Sequence, residues 1–168
     1  GLTSTRGTLY LTTERSDELV REAMRSSTAP VGNPTVRRLD GANGIGDAEK
    51  LVGELPGGAN LIVDPVDELE RADRDSYLTL LNAVKRRMVE TDGVAVLHCL
   101  DGESTPDGRT STEHFADVVL ELETIVEDGR VEHDVEIPKY RADPPRGRSV
   151  TLPEDPSAAN RIDGTRSD

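Results

Sequence analysis

Short apolar runs and amphipathic segments alternate through the first two thirds of the chain. Residues 8–13 (TLYLTT) are rich in β-formers and follow a glycine-containing turn, which predicts a strand. Ser16, then Asp17 and Glu18, carry the signature of a helix start, and Leu19, Val20, Ala23 and Met24 recur at helical spacing up to about Ser27. Pro30, Gly32, Asn33 and Pro34 mark a loop, and residues 35–39 read as a short strand. Asp47 opens a second predicted helix with Leu51, Val52 and Leu55, which stops at Pro56-Gly57-Gly58. Residues 59–63 and 94–98 are continuous apolar runs, the pattern of strands buried on both faces. Between them the longest predicted helix runs over 73–91, with Tyr77, Leu80, Leu81, Val84 and Met88 on one stripe and Gly93 past its end. A polar loop is expected over 101–112.

From Ala116 the pattern becomes extended. Residues 116–126 and 130–140 read as two strands joined by Glu127-Asp128-Gly129-Arg130, a hairpin signal, and residues 149–152 as a further short strand. Residues 153–168 lack hydrophobic periodicity and read as a disordered polar tail. The fold class expected is α/β: a mostly parallel sheet flanked by helices, with a C-terminal antiparallel hairpin extension, in one domain over 1–152.

Composition narrows the function classes. The 168 residues include 33 Asp and Glu against 20 Lys and Arg, a formal net charge of -13. So negative a surface repels phosphate backbones, and one Phe with three Tyr supplies no base-stacking platform, which disfavours nucleic-acid binding. The loop over 101–112 sharpens this, with Asp101, Glu103 and Asp107 against Arg109. A single cysteine, Cys99, excludes an internal disulfide framework and a cysteine-based zinc site. No apolar run reaches the ~18 residues of a membrane span and no signal-peptide pattern opens the chain, so a cytoplasmic location is expected. Only three of the cations are Lys (Lys50, Lys85, Lys139), and abundant acids with scarce Lys suit a high-salt cytoplasm.

Ligands of open parallel sheets sit beyond the carboxyl ends of the strands. The polar residues there are Glu14, Asp64, His98 and Asp101. An aliphatic run ending in Asp64 suits a carboxylate that holds magnesium near phosphates, but Pro65 next to it equally suits an Asp that caps a turn. Glu14 reads either as a base orienting water or as a solvated acid before a helix. His98, beside Cys99 at the end of an apolar run, reads as a hydrogen-bonded core residue. His114 and His133 are spaced too irregularly to join it in a metal cluster.

The phrases combine into a resemblance. Residues 9–19 (LYLTTERSDEL) resemble the segment after the P-loop helix in RecA-like ATPases of the KaiC and RadA group, and 60–64 (NLIVD) resemble that group's Walker B strand. Residues 112–122 (TEHFADVVLEL) are similar to its short helix running into an Ala-Asp-hydrophobic strand, and 137–141 (IPKYR) to its Lys-x-Arg strand end. Archaeal, and by composition haloarchaeal, KaiC-like proteins are the nearest type. The resemblance implies a catalytic role for Glu14, magnesium held through water by Asp64, and contacts from Lys139 and Arg141 to a nucleotide on a neighbouring subunit. ATP and magnesium are the cofactors it implies, and self-association or protein partners the interactions. Arg15 falls where KaiC has a second glutamate. No stretch matches G-x-x-x-x-G-K-[ST]. The chain therefore reads as a fragment or as a degenerate branch, a nucleotide-associated regulatory protein with no ATPase activity of its own. The alternatives are a non-enzymatic interaction module on the same fold, and a receiver-like phosphoacceptor domain with Asp64 as acceptor, which the terminal hairpin does not fit.

Overall fold

The structure is a computed structural model that describes residues 7–28, 31–41, 43–102, 104–127, 130–141 and 150–152. It divides into two compact units, Gly1–Phe115 and Ala116–Asp168. The boundary falls where the sequence pattern changes from alternating strand and helix to extended segments.

The first unit is built in the order β1 (Thr8–Thr12), α1 (Asp17–Ser26), β2 (Thr35–Arg38), α2 (Gly44–Gly53), β3 (Asn60–Val63), α3 (Asp67–Glu70), α4 (Arg74–Thr91), β4 (Ala95–Leu97) and α5 (Arg109–Phe115). The strands form one parallel sheet in the order β2-β1-β3-β4. Helical crossovers are what parallel neighbours require. Leu9, Leu11, Leu61 and Val63 point to one face and meet Ala48 and Val52 of α2 and Tyr77, Leu80, Leu81, Val84 and Met88 of α4, forming the aliphatic core. By strand alternation Tyr10 and Thr12 lie on the other face.

The local chemistry accounts for most boundaries. Ser16 caps α1 by accepting a hydrogen bond from the Leu19 amide at 3.3 Å, and Asp73 caps α4 by accepting from the Asp75 and Ser76 amides at 3.1 Å each. Gly93 is required after α4, because a Cβ there would lie 2.2 Å from the Ala59 carbonyl oxygen.

Four expectations need correction. α2 begins at Gly44, three residues before Asp47, because Ile45 and Ala48 already lie on the stripe that Val52 continues. The short helix α3 was not anticipated; it follows Pro65 directly and buries Leu69. β4 is not buried on both faces: it is an edge strand of the described sheet, and Val96 is 45% exposed. The polar loop is shorter than expected, since α5 starts at Arg109 within it.

The second unit holds β5 (Val118–Glu127), β6 (Arg130–Tyr140) and β7 (Val150–Leu152), antiparallel in the order β5-β6-β7. The expected hairpin is present, with Glu127 paired to Arg130 and a register shift between Val119 and Glu121. Residues 153–168 lie outside the described residues.

Candidate functional site

The parallel sheet brings three strand ends together. Leu11 pairs with Val63 and Val63 with Leu97. The ladder runs one residue further, with the Asp64 amide donating to the Leu11 carbonyl and the His98 amide to the Val63 carbonyl, both at 2.9 Å. Asp64 and His98 are therefore neighbours at the carboxyl edge, where ligands of open sheets bind. The turn after β1 is held by the Arg15 amide, which donates to the Thr12 hydroxyl at 3.2 Å, and by the Thr13 hydroxyl, which donates to the Pro65 carbonyl at 2.9 Å. That turn delivers Arg15 to the same place.

Asp64 is the centre of the cluster. Its Oδ1 lies 2.6 Å from His98 Nδ1; its Oδ2 accepts from Arg15 Nη2 at 2.7 Å and from the Tyr10 hydroxyl. The Asp64 side chain is 13% exposed, whereas those of Arg15 and His98 are 50% and 54% exposed. Burial pushes the Asp64 carboxyl up, but hydrogen bonds from Tyr10 and His98, with the Arg15 charge, outweigh it and hold the group below its ordinary value. The Tyr10 phenol is raised, first by burial and then by its hydrogen bond to Asp64 and that carboxylate's charge. Near neutral pH the carboxylate is thus ionised and the phenol neutral. An ionised carboxylate only accepts, so His98 Nδ1 carries the proton and Nε2 faces outward with no protein partner among the described residues.

The other expected site residues are placed differently. Glu14 is exposed and makes no hydrogen bond or ion pair among the described residues. It lines a cavity of about 290 Å³ with Arg38, Asp40, Leu39, Ile45 and Glu68, and none of the Asp64 cluster lines it. The structure therefore does not join Glu14 to Asp64 in one hydrogen-bonded site. Lys139 and Arg141 belong to the second unit: Lys139 is paired with Val119 near the end of β6, and the Arg141 amide donates to the Asp117 carbonyl at 2.8 Å. The Arg141 side chain also forms an ion pair with Asp117 at 3.5 Å.

His98 is not the core histidine the sequence suggested; β4 is an edge strand, so the imidazole at its end is open. Tyr10 escaped the sequence reading altogether. Its one signal is an aromatic hydroxyl at the centre of a strand, on the face opposite Leu9 and Leu11.

A second polar cluster lies beneath the loop after β4. Arg109 donates from Nε to Glu70 at 3.0 Å and from Nη2 to Asp67 at 2.8 Å, with further bonds to the Leu100 carbonyl. Glu70 is fully buried and also accepts from the Thr112 hydroxyl, which in turn meets the Tyr77 hydroxyl at 2.6 Å. A Cβ on Gly108 would lie 2.6 Å from the Glu70 carbonyl, so only glycine lets the loop pass this close to α3. Burial pushes the Cys99 thiol up to about 12, with the Glu70 charge adding to it. That cysteine is a packed residue, not a nucleophile. The cluster anchors a loop.

The donor set fits magnesium poorly. Both Asp64 oxygens are committed to a guanidinium, an imidazole and a phenol. Among the described residues no group of three or more His, Cys, Asp or Glu side chains could hold a metal. A cation reaching Asp64, directly or through water, would stand beside the Arg15 guanidinium, with which it shares its sign of charge.

The family described as a family of unknown function, DUF7125, matches residues 1–163. The chain belongs to DUF7125. No curated protein matches it. Among solved structures it is similar to the flagellar accessory protein FlaH from Methanocaldococcus jannaschii, at TM-score 0.62 and 15% identity over 87% of this chain and 71% of that one. It is similar also to the KaiC-like protein PH0186 from Pyrococcus horikoshii OT3, at TM-score 0.61 and 13% identity over 87% of this chain and 70% of that one. At such identities the likeness carries the fold alone. This DUF7125 chain has the RecA-like α/β fold that its strand phrases implied.

Proposed function

We propose that this chain is a regulatory module of RecA-like fold that associates with nucleotide but does not itself hydrolyse it. The observation that carries this reading is the state of Asp64. At the strand end where a phosphoryl-transfer site keeps its metal-binding carboxylate open, Asp64 already has Tyr10, Arg15 and His98 as partners. Glu14, the residue implied to activate water, lines a separate cavity. The likeness to a KaiC-like protein and to FlaH supports nucleotide association through fold alone. The acidic loop after β4, whose Arg109 is taken up by Glu70 and Asp67, supports a partner other than nucleic acid.

Equilibrium titration with ATP, paired with a phosphate-release assay, tests the reading. Saturable binding with no turnover above the buffer rate is expected; steady turnover lost in Glu14→Gln would overturn it. A second reading, an interaction module without nucleotide, is favoured by Val118, Leu120, Leu122 and Tyr140, all exposed on the second unit. The absence of any ATP binding would select it.

A further inference from the structure

We propose that the cavity lined by Glu14, Arg38 and Asp40 binds a free dibasic α-amino acid of the lysine, ornithine and arginine class. The proposal is independent of the nucleotide-associated reading, so either can fail while the other stands.

The cavity lies at the carboxyl edge of the sheet, between the segments that follow β1 and β2 and the start of α2, and none of the Asp64 cluster lines it. Three observations give it a chemistry. First, it holds opposite charges that do not neutralise one another. Glu14, Arg38 and Asp40 are all exposed, Arg38 pairs with neither acid, and none of the three side chains has an ion-pair or hydrogen-bond partner among the described residues. Groups of opposite sign held apart in one cavity fit a ligand that carries both signs. Second, the acids outnumber the cation. Glu68 also lines the cavity but is taken up by Arg71 at 2.9 Å, which leaves Glu14 and Asp40 against Arg38. The complementary ligand has two cationic groups and one carboxylate. Third, the floor is apolar: Leu39 and Leu69 are buried there, and Ile45 is half-buried. A methylene stem between charged ends suits such a floor, as the stems of Lys and Arg suit apolar protein surface.

An α-amino acid with a basic side chain combines all three parts. Its carboxylate meets the Arg38 guanidinium, which offers a planar fork of donors, and its two cationic groups meet Glu14 and Asp40. Size agrees as well. The cavity has a volume of about 290 Å³. That is the small end of the ~300–1,000 Å³ usual for small-molecule sites, and at ~30 Å³ for each water in the liquid it holds roughly ten non-hydrogen atoms. Lysine and its two homologous relatives are of that size, whereas a nucleotide is several times larger.

The test is calorimetric titration of the full 168-residue chain with L-lysine, L-ornithine and L-arginine, with their decarboxylated forms cadaverine, putrescine and agmatine, and with the neutral amino acid norleucine. The tightest of the three basic amino acids is expected to bind saturably, with its decarboxylated form and norleucine each weaker by roughly tenfold or more. Glu14→Gln and Asp40→Asn should each weaken that amino acid by a similar factor. Arg38→Gln should weaken it too, yet leave the decarboxylated amine bound as before or more tightly, since the amine gives the guanidinium nothing to hold. A merely structural role for Arg38 would not produce that split. Glu22→Gln, on α1 and outside the cavity, should leave affinity unchanged; an equal loss there would mark diffuse attraction to an acidic chain and overturn the proposal. Amine or norleucine bound as tightly as the basic amino acid by the parent chain overturns it, as does the absence of saturable binding by all three amino acids at about 10 mM.

Discussion

At the residue scale the decisive feature is one carboxylate with three partners. Asp64 could be read in the sequence as a strand-end acid, because an aliphatic run breaking at a single Asp is visible without any structure. Its state was not readable, because Asp64, His98 and the pair Tyr10 and Arg15 come from three separate segments and meet only when β1, β3 and β4 lie side by side. The cluster makes a pH prediction. The Asp64 carboxyl is depressed in the folded chain, so it contributes stability that is present above the unfolded value of about 3.9 and lost as pH falls through the lower folded value. Asp64→Asn should therefore melt below the parent chain at neutral pH, by about 1 kcal/mol given the half-exposed partners. Melts recorded at steps from neutral to about pH 3 should show the gap closing below about pH 4. A gap that is constant with pH would mean the contacts do not depend on ionisation.

At the scale of elements, the helices and strands with strong periodicity were legible, and those shaped by tertiary contact were not. The span of α4 and its Asp73 cap follow from a long apolar stripe and a capping residue, both local properties. α3 and the start of α5 were missed because what holds them is the distant ion cluster of Asp67, Glu70 and Arg109. That cluster predicts a large mutational effect. Arg109→Met removes the cation from a fully buried Glu70 and a nearly buried Asp67, which should cost about 3–5 kcal/mol, and urea unfolding measures it. Pairing it with Glu70→Leu should recover part of the loss, since an apolar pair of similar volume leaves fewer buried charges unpaired. If Arg109→Met alone were within about 0.5 kcal/mol of the parent, the range of ordinary surface substitutions, the loop would not be anchored through this pair.

At the scale of the whole molecule, charge and topology act separately. A net charge of -13 destabilises the compact state by self-repulsion, which salt screens. Thermal melts should rise from low salt to molar KCl, and a flat response would show that the acids are not repelling one another appreciably. Composition and periodicity by themselves determined the α/β class, the aliphatic core and the switch to extended strands after Phe115. All of these depend on local patterning, which is carried by each segment on its own. Only the tertiary structure decided that β4 is an edge strand of the described sheet that leaves His98 open, that Tyr10, Arg15 and His98 meet at Asp64, and that Glu14 lines a cavity apart from them. Those outcomes depend on which strands become neighbours, on their register and on which face each side chain takes, and long-range pairing of that kind is not written in any one segment.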